Sequence, residues 1–399
     1  MQIFKVRFFR LLDLTKLLSI GALAALGTVR LWSWPIDVLP DGPYEVASSN
    51  FEVVDQIPTN IVDYLKGGFD NGSPVYISSL LKFPNEALSI TVNVPDDPSL
   101  YEEHAGTQFP IAGYVVYPTA STNTNEDYIF PFIGEGVRTF PKMDKPGDFP
   151  KFADGFTRFP LIVRSHGFRS HGLWDLYEMR FLASHGYVVA CLFHGDDRLR
   201  ESQSQYTLRT LSVHEFITNL ITHPKYGHLI DTQRIGISGT SFGGYTGLAL
   251  LGGKYLNHPS SVNDHRIKAG FATVPWIGSV GNKPFMEDHS GIVGVDDPFM
   301  AVIAEHDQIA DPQLIMDALQ HTSGLTLAFV LKGEGHGLTE LGAKEARTLE
   351  VLFFDSFLKH SGTTRAILLG ETFVFGGLED HKIIQRIPEE EPEEIPNGG

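Results

Sequence analysis

One serine in this sequence stands where an apolar run turns into a second apolar run. In "RIGISGTSFGGYTGLAL", residues 234–250, Ser241 occupies the centre of a Gly-x-Ser-x-Gly pattern. "RIGIS" reads as a buried strand and "YTGLALL" as the opening of a helix. On such a strand–turn–helix the hydroxyl stands exposed above the sheet, and the flanking glycines let strand and helix approach. The backbone N–H of Phe242, at the helix N-terminus, would then face an oxyanion forming beside that hydroxyl. A serine that only caps a glycine-rich turn fits the same pattern, so the chemistry depends on partners.

A serine hydroxyl is a weak nucleophile at neutral pH and needs an imidazole to take its proton. The imidazole in turn needs a carboxylate to hold its tautomer and stabilise its cation. "AVIAEHDQIADP" ends an apolar run at Asp307, with Asp311 as a competitor whose neighbour Pro312 suits a turn or helix cap. "LAFVLKGEGHGL" ends another at His336, on a glycine-flanked turn. His306 precedes the acid, His321 falls at the opposite end of a strand, and His360 and His381 lie beyond the pattern. The order Ser241, Asp307, His336 is the one expected of hydrolases built on a parallel sheet. A second oxyanion donor is offered by "LIVRSHGFRSHG", where His166-Gly167-Phe168 follows a strand and the N–H of Phe168 can face Ser241. The His166 side chain is expected to brace that turn. A plain glycine turn is the competing reading.

The elements around these residues set the architecture. From 158 to 387 short β-branched runs alternate with helix-length segments, which predicts an α/β fold with a mostly parallel central sheet and helices on both faces. From 35 to 157 the chain is rich in Pro, Gly, Asp and Asn. "FEVVDQ", "PVYISSLL", "ALSITVNV" and "IAGYVVYP" read there as antiparallel strands at the N-terminal edge. Residues 119–157 read as surface loop, with the aromatics of 128–159 anchoring it to the core. No linker divides 35–387, so one domain is expected. Ligands bind such sheets beyond the carboxyl ends of the strands, where all three loops fall.

Composition narrows the function classes. The formal charge of −17 argues against nucleic-acid binding through a basic face. The single cysteine, Cys191, excludes an internal disulfide framework and a multi-cysteine metal site, and reads as a buried thiol. Residues 1–34 read as a signal peptide or membrane-associated segment. Lys5, Arg7 and Arg10 precede the uncharged "LLSIGALAALGTV", and Ala22-Leu23-Ala24 offers a small-x-small cleavage pattern. Thirteen uncharged residues fall short of the roughly 20 a bilayer span needs, so export or attachment at the membrane surface is expected rather than a spanning helix. The acidic, proline-broken 388–399 reads as a solvated tail.

With these motifs in order, the sequence resembles the α/β-hydrolase superfamily. The nearest likeness is to the branch of platelet-activating-factor acetylhydrolases, dienelactone-hydrolase-like proteins and bacterial cutinase-like polyester hydrolases. It rests on "VVYPT", "SHGFRS", "LASHGYVVACLFHGDDR", "IDTQRIGISGTSFGG", "KAGFATVPW", "EHDQIADP" and "GEGHG", spanning about residues 110–336. The resemblance implies Ser241 as nucleophile, His336 as general base, Asp307 as its orienting acid, and Phe168 and Phe242 as oxyanion donors. It also implies that Trp276, in "VPW", lines the substrate pocket, where a core aromatic is the alternative. Ala304 and Thr240 stand where relatives often have Gly and His. The activity implied is hydrolysis of a small or polymeric carboxylic ester through an acyl-enzyme, with no metal or organic cofactor. An acyltransferase, a peptidase or a non-catalytic binding protein on the same fold would share these motifs.

Overall fold

The computed structural model describes residues 35–36, 38–55, 65, 77–130, 138–153, 158–194, 204–369, 374–375 and 382–386. The expected leader (1–34) and acidic tail (388–399) lie outside them. The alternating apolar runs become a mixed, mostly parallel sheet. In chain order the strands are β1 (Pro35–Ile36), β2 (Glu45–Ser48), β3 (Leu88–Asn93), β4 (Gln108–Thr119), β5 (Tyr128–Phe130), β6 (Arg138–Phe140), β7 (Phe159–Ser165) and β8 (Val188–Leu192). They continue as β9 (Ile230–Thr240), β10 (Ile267–Thr273), β11 (Phe299–Ala304), β12 (Thr326–Leu331), β13 (Val374–Phe375) and β14 (Lys382–Arg386). The central sheet runs β14-β12-β11-β10-β9-β7-β8-β4-β2, with β3 also paired to β4. From β8 to β12 every neighbouring pair is parallel. β3 and β4 are antiparallel at one edge, as the sequence suggests; β2, which it does not mark, joins them there, and β14, also unmarked, is antiparallel at the other edge.

The main helices are α1 (Leu176–Ser184), α2 (Ser204–Thr222), α3 (Phe242–Leu250), α4 (Pro312–Leu319), α5 (Glu340–Phe357) and α6 (Gly362–Leu368). Adjacent residues of a strand point to opposite faces, and β9 shows what covers each. A Cβ on Gly236 would meet Phe354 of α5 at 2.6 Å, whereas Ile237 lies against Gly247 of α3. Helices therefore cover both faces. β8 and β11 are buried along their whole length, as strands covered on both sides must be. Cys191 lies buried in β8, and burial pushes its thiol pKa up.

The N-terminal region departs from its reading in three places. Phe51–Asp55 forms only an isolated bridge, Val53 to Leu81, instead of a strand. Ile77–Leu80 is a helical turn, and Leu80 and Leu81 are both buried. Two consecutive buried side chains do not suit a strand with one solvated face. Within 119–157, β5 and β6 pair as an antiparallel ribbon rather than plain loop. Phe130 and Phe140 from that ribbon are buried against Phe51, whose ring stacks on Phe193 with centroids 5.4 Å apart. Phe130 and Phe140 therefore anchor the ribbon, while Phe149 is exposed.

A Cβ on Gly243 would sit 1.9 Å from the Ser165 carbonyl oxygen. Gly243→Ala should destabilise the protein by about 1–3 kcal/mol or more, read as a lower denaturant midpoint. Asp144 accepts a 2.6 Å hydrogen bond from the Tyr117 hydroxyl through Oδ1, while its buried Oδ2 has no partner among the described residues. Burial pushes its carboxyl from 3.8 up to about 7. A carboxyl whose folded pKa is raised lends stability that is complete below about pH 3.8 and lost as pH rises through 7. Asp144→Asn should thus gain in melting temperature on the wild type as pH rises from about 4 to 8.

Candidate active site

Parallel registry sets the strand ends level. Ser165 of β7 pairs with Gly239 of β9, and Thr240 pairs with Thr273 of β10. The chain turns sharply after Thr240, with Ser241 at φ 53° and ψ −118° before α3 begins at Phe242. An L-residue rarely adopts that conformation, and it costs on the order of 1–3 kcal/mol. Hydrogen bonds hold it there: the Ser241 N–H donates to Thr273 O at 3.0 Å, and Ser241 O accepts from Gly244 N and Trp276 N, both at 2.8 Å. Val274, between those two contacts, is itself at φ 43°. A β-branched residue at positive φ is a genuine outlier. Strain is thus concentrated in the two loops that cradle Ser241. The turn also needs glycine, because a Cβ on Gly239 would lie 2.3 Å from the Gly243 backbone.

The other two loops deliver an imidazole and a carboxylate. His336 Nε2 lies 3.0 Å from Ser241 Oγ, and His336 Nδ1 lies 2.7 Å from Asp307 Oδ2. The Asp307 side chain is fully buried, and its Oδ1 accepts from the N–H groups of Ile309 and Ala310 at 2.8 Å each. With Nδ1–H donated to Asp307, the Nε2 lone pair points at the serine hydroxyl. The loops are also tied together. His306 N donates to Glu334 O at 2.8 Å and Gly333 N to Glu305 Oε2 at 2.9 Å. Asp311 caps α4 by accepting from Gln313 N at 2.8 Å, and His306 is exposed beside Glu305. His321 lies between α4 and β12 with its ring against His289, and His360 follows α5. His381 lies outside the described residues.

The third loop, after β7, lies against the serine. A Cβ on Gly167 would sit 3.4 Å from Ser241 Cβ. The Phe168 ring meets the Phe242 ring edge to face, with centroids 5.8 Å apart. The Phe242 N–H, at the first position of α3, has no intrahelical acceptor. His166 braces its own turn: Nε2 accepts from His194 N at 3.1 Å while Nδ1 donates to Gly167 O at 2.8 Å. Arg209 of α2 adds a second brace. Its Nη2 donates to the carbonyls of His166 (2.8 Å) and Gly167 (3.2 Å), its Nη1 lies 3.3 Å from Thr246 of α3, and its guanidinium covers the Phe242 ring. In a trans peptide the N–H points opposite to the C=O. Holding Gly167 O therefore fixes the direction of the Phe168 N–H.

Beneath the site Arg164 carries a buried ion network. It donates to Asp175 Oδ1 (3.1 and 3.3 Å), Glu350 Oε1 (2.7 Å), Ser238 Oγ (3.1 Å) and Thr240 Oγ1 (3.4 Å). Burial pushes the Asp175 carboxyl up to about 6, Arg164 notwithstanding, and pushes Glu350 up as well. Two cavities open at Ser241. One, of 290 Å³, is lined by Phe168, Tyr206, Phe242, Trp276 and Ile309 together with Gln205 and Asn282. The other, of 310 Å³, is lined by His336, Thr240, Ser170, Asp175 and Glu178 among others. No described residue of 119–157 lines either one.

The structure thus brings Ser241, Asp307, His336, Phe168, Phe242 and Trp276 to one place. Sequence reading missed Arg164, Arg209, Tyr206 and Asp175. The signal for the arginines was an arginine inside an otherwise apolar run, "PLIVRS" and "YTLRTLSV". Among the described residues no group of three or more His, Cys, Asp or Glu is placed to hold a metal ion. Comparison with family models finds no match, and comparison with curated proteins finds none either.

Losing the Arg209 braces leaves buried carbonyls without donors. Arg209→Lys, which keeps the charge but not the fork, should cost about 1–3 kcal/mol of stability, measured by chemical denaturation.

Proposed function

We propose that this protein is a serine hydrolase of the α/β-hydrolase fold that cleaves carboxylic esters through an acyl-enzyme. The observation that carries the reading is the continuous chain Ser241 Oγ, His336 and Asp307, at 3.0 and 2.7 Å, built from three separate strand ends. His336 Nε2 takes the hydroxyl proton as Oγ attacks the ester carbonyl carbon. The carbonyl oxygen becomes an oxyanion facing the amides of Phe242 and Phe168. The tetrahedral intermediate collapses, and His336 passes the proton to the departing alcohol. Water then repeats the sequence on the acyl-serine and releases the acid. Asp307 accepts from Nδ1–H, stabilises the imidazolium and holds its tautomer.

The strained turn at Ser241 supports the same reading, since such strain gathers at functional sites. The parallel sheet with helices on both faces and the Ser-Asp-His order are what that fold requires. No helix among the described residues is long and apolar enough to cross a membrane. The proposed export or surface attachment rests on residues 1–34, outside the described ones.

Purified protein should be labelled by a fluorophosphonate probe and should hydrolyse short p-nitrophenyl esters, with both lost in Ser241→Ala. His336→Ala should lower kcat by on the order of 10⁴-fold or more, and Asp307→Asn by roughly 10⁴-fold. Well-folded wild type that neither labels nor turns over would sink the proposal.

A further inference from the structure

The two cavities at Ser241 differ in chemistry, and the reaction assigns each a half of the ester. This assignment holds if the protein is the esterase proposed above. The departing alcohol oxygen must collect its proton from His336 Nε2, so the alcohol lies on the side of Ser241 that His336 lines. That is the 310 Å³ cavity. The acyl group then falls to the other side, whose walls are chiefly Tyr206, Phe242, Trp276 and Ile309, with Gln205 and Asn282 at two points.

The alcohol side sets acceptors beside the aromatic rings of Phe168 and Trp174. Asp175 lines it and is 5% exposed; Oδ1 takes both contacts from Arg164, and Oδ2 has no hydrogen-bond partner among the described residues. Glu178 adds a second carboxylate to the same wall, with Arg347 3.5 Å behind it, and Ser170 and Thr240 add hydroxyls. Arg164, behind that wall, is itself buried, and its donors go to Asp175, Glu350, Ser238 and Thr240, while Arg138 lies over the ring of Trp174, which lines the same cavity. A buried carboxylate oxygen without a donor is costly, and a ligand that brings one relieves the cost. We infer that the substrate joins an apolar acid to a polar alcohol bearing an O–H or N–H donor, which Asp175 receives.

A set of butyrate esters tests this: propyl, 2-hydroxyethyl, 2-aminoethyl and 2-(trimethylammonio)ethyl, each kcat/KM divided by the ester's own hydroxide-catalysed rate, with p-nitrophenyl butyrate alongside. A charge-assisted hydrogen bond corresponds to about 10- to 100-fold. The hydroxyethyl or aminoethyl ester should exceed the propyl ester by that factor; whichever leads tells a neutral donor from a cationic one. Asp175→Asn should shrink that ratio towards one, and because both esters are measured on the same sample, partial misfolding cancels. Should Asp175→Asn fail to fold, the wild-type ratios still decide. A propyl ester equal to or better than the donors, a trimethylammonio ester better than both donors, or a ratio unchanged in Asp175→Asn overturns the inference while p-nitrophenyl butyrate turnover leaves the esterase reading standing. No turnover of any ester defeats both.

Discussion

The close approach of β9 and α3 is the constraint on which the site depends. A parallel strand must reverse within two residues into a helix that packs back on it, and only glycine at 239 and 243 leaves room for the backbones to touch. That crossing forces Ser241 into its positive-φ conformation and lifts its hydroxyl over the sheet edge. The same crossing exposes the first amides of α3 beside the hydroxyl. The serine hydroxyl and the exposed amide, nucleophile and oxyanion donor in the proposed reaction, thus share one geometric cause.

A strained turn persists only where the surroundings over-determine it. Here the β10 loop binds Ser241 on both its N–H and its carbonyl, and Arg209 clamps the neighbouring β7 turn to α3. Below them Arg164 ties β7 to β9 through Ser238, to α5 through Glu350 and to the entry of α1 through Asp175. Buried charges of this kind add little net stability, but losing one partner is costly because the other is left unpaired. Their contribution is to hold the β7 turn, the end of β9 and the entry of α1 in one relative position, while the Asp307 and His336 loops are tied to each other by His306 N to Glu334 O and Gly333 N to Glu305 Oε2.

The polarity of the two cavities follows from the same arrangement. α2 and the β10 loop bring Tyr206 and Trp276 to one side of Ser241, where their rings stack with centroids 6.2 Å apart. The entry to α1 brings carboxylates to the other. A site with one mainly aromatic wall and one wall that carries carboxylates imposes direction on whatever binds across it.

Much of this was legible in the sequence because it is encoded locally. Continuous β-branched runs specify buried parallel strands, Gly-x-Ser-x-Gly specifies the sharp turn, and residues following apolar runs mark loops at the carboxyl edge, which fixed Ser241, Asp307 and His336 as a set. The N-terminal segments were misread where tertiary packing overrode pattern: Leu80 and Leu81 both turn inward, so "PVYISSLL" does not keep a strand's alternation. β14 carried no partner signal of its own, since an edge strand is defined by the strand it joins. The roles of Arg164, Arg209 and Asp175 were out of reach for another reason. Arg164 and Glu350 are 186 positions apart and Arg209 and His166 are 43 apart, and no local period records such a pairing. Sequence alone determined which residue types stand at strand ends and in what order. Only the tertiary structure decided their distances, the braces behind them and the unlike cavities on either side, because those arise from contacts between segments that meet only when the sheet closes under its helices.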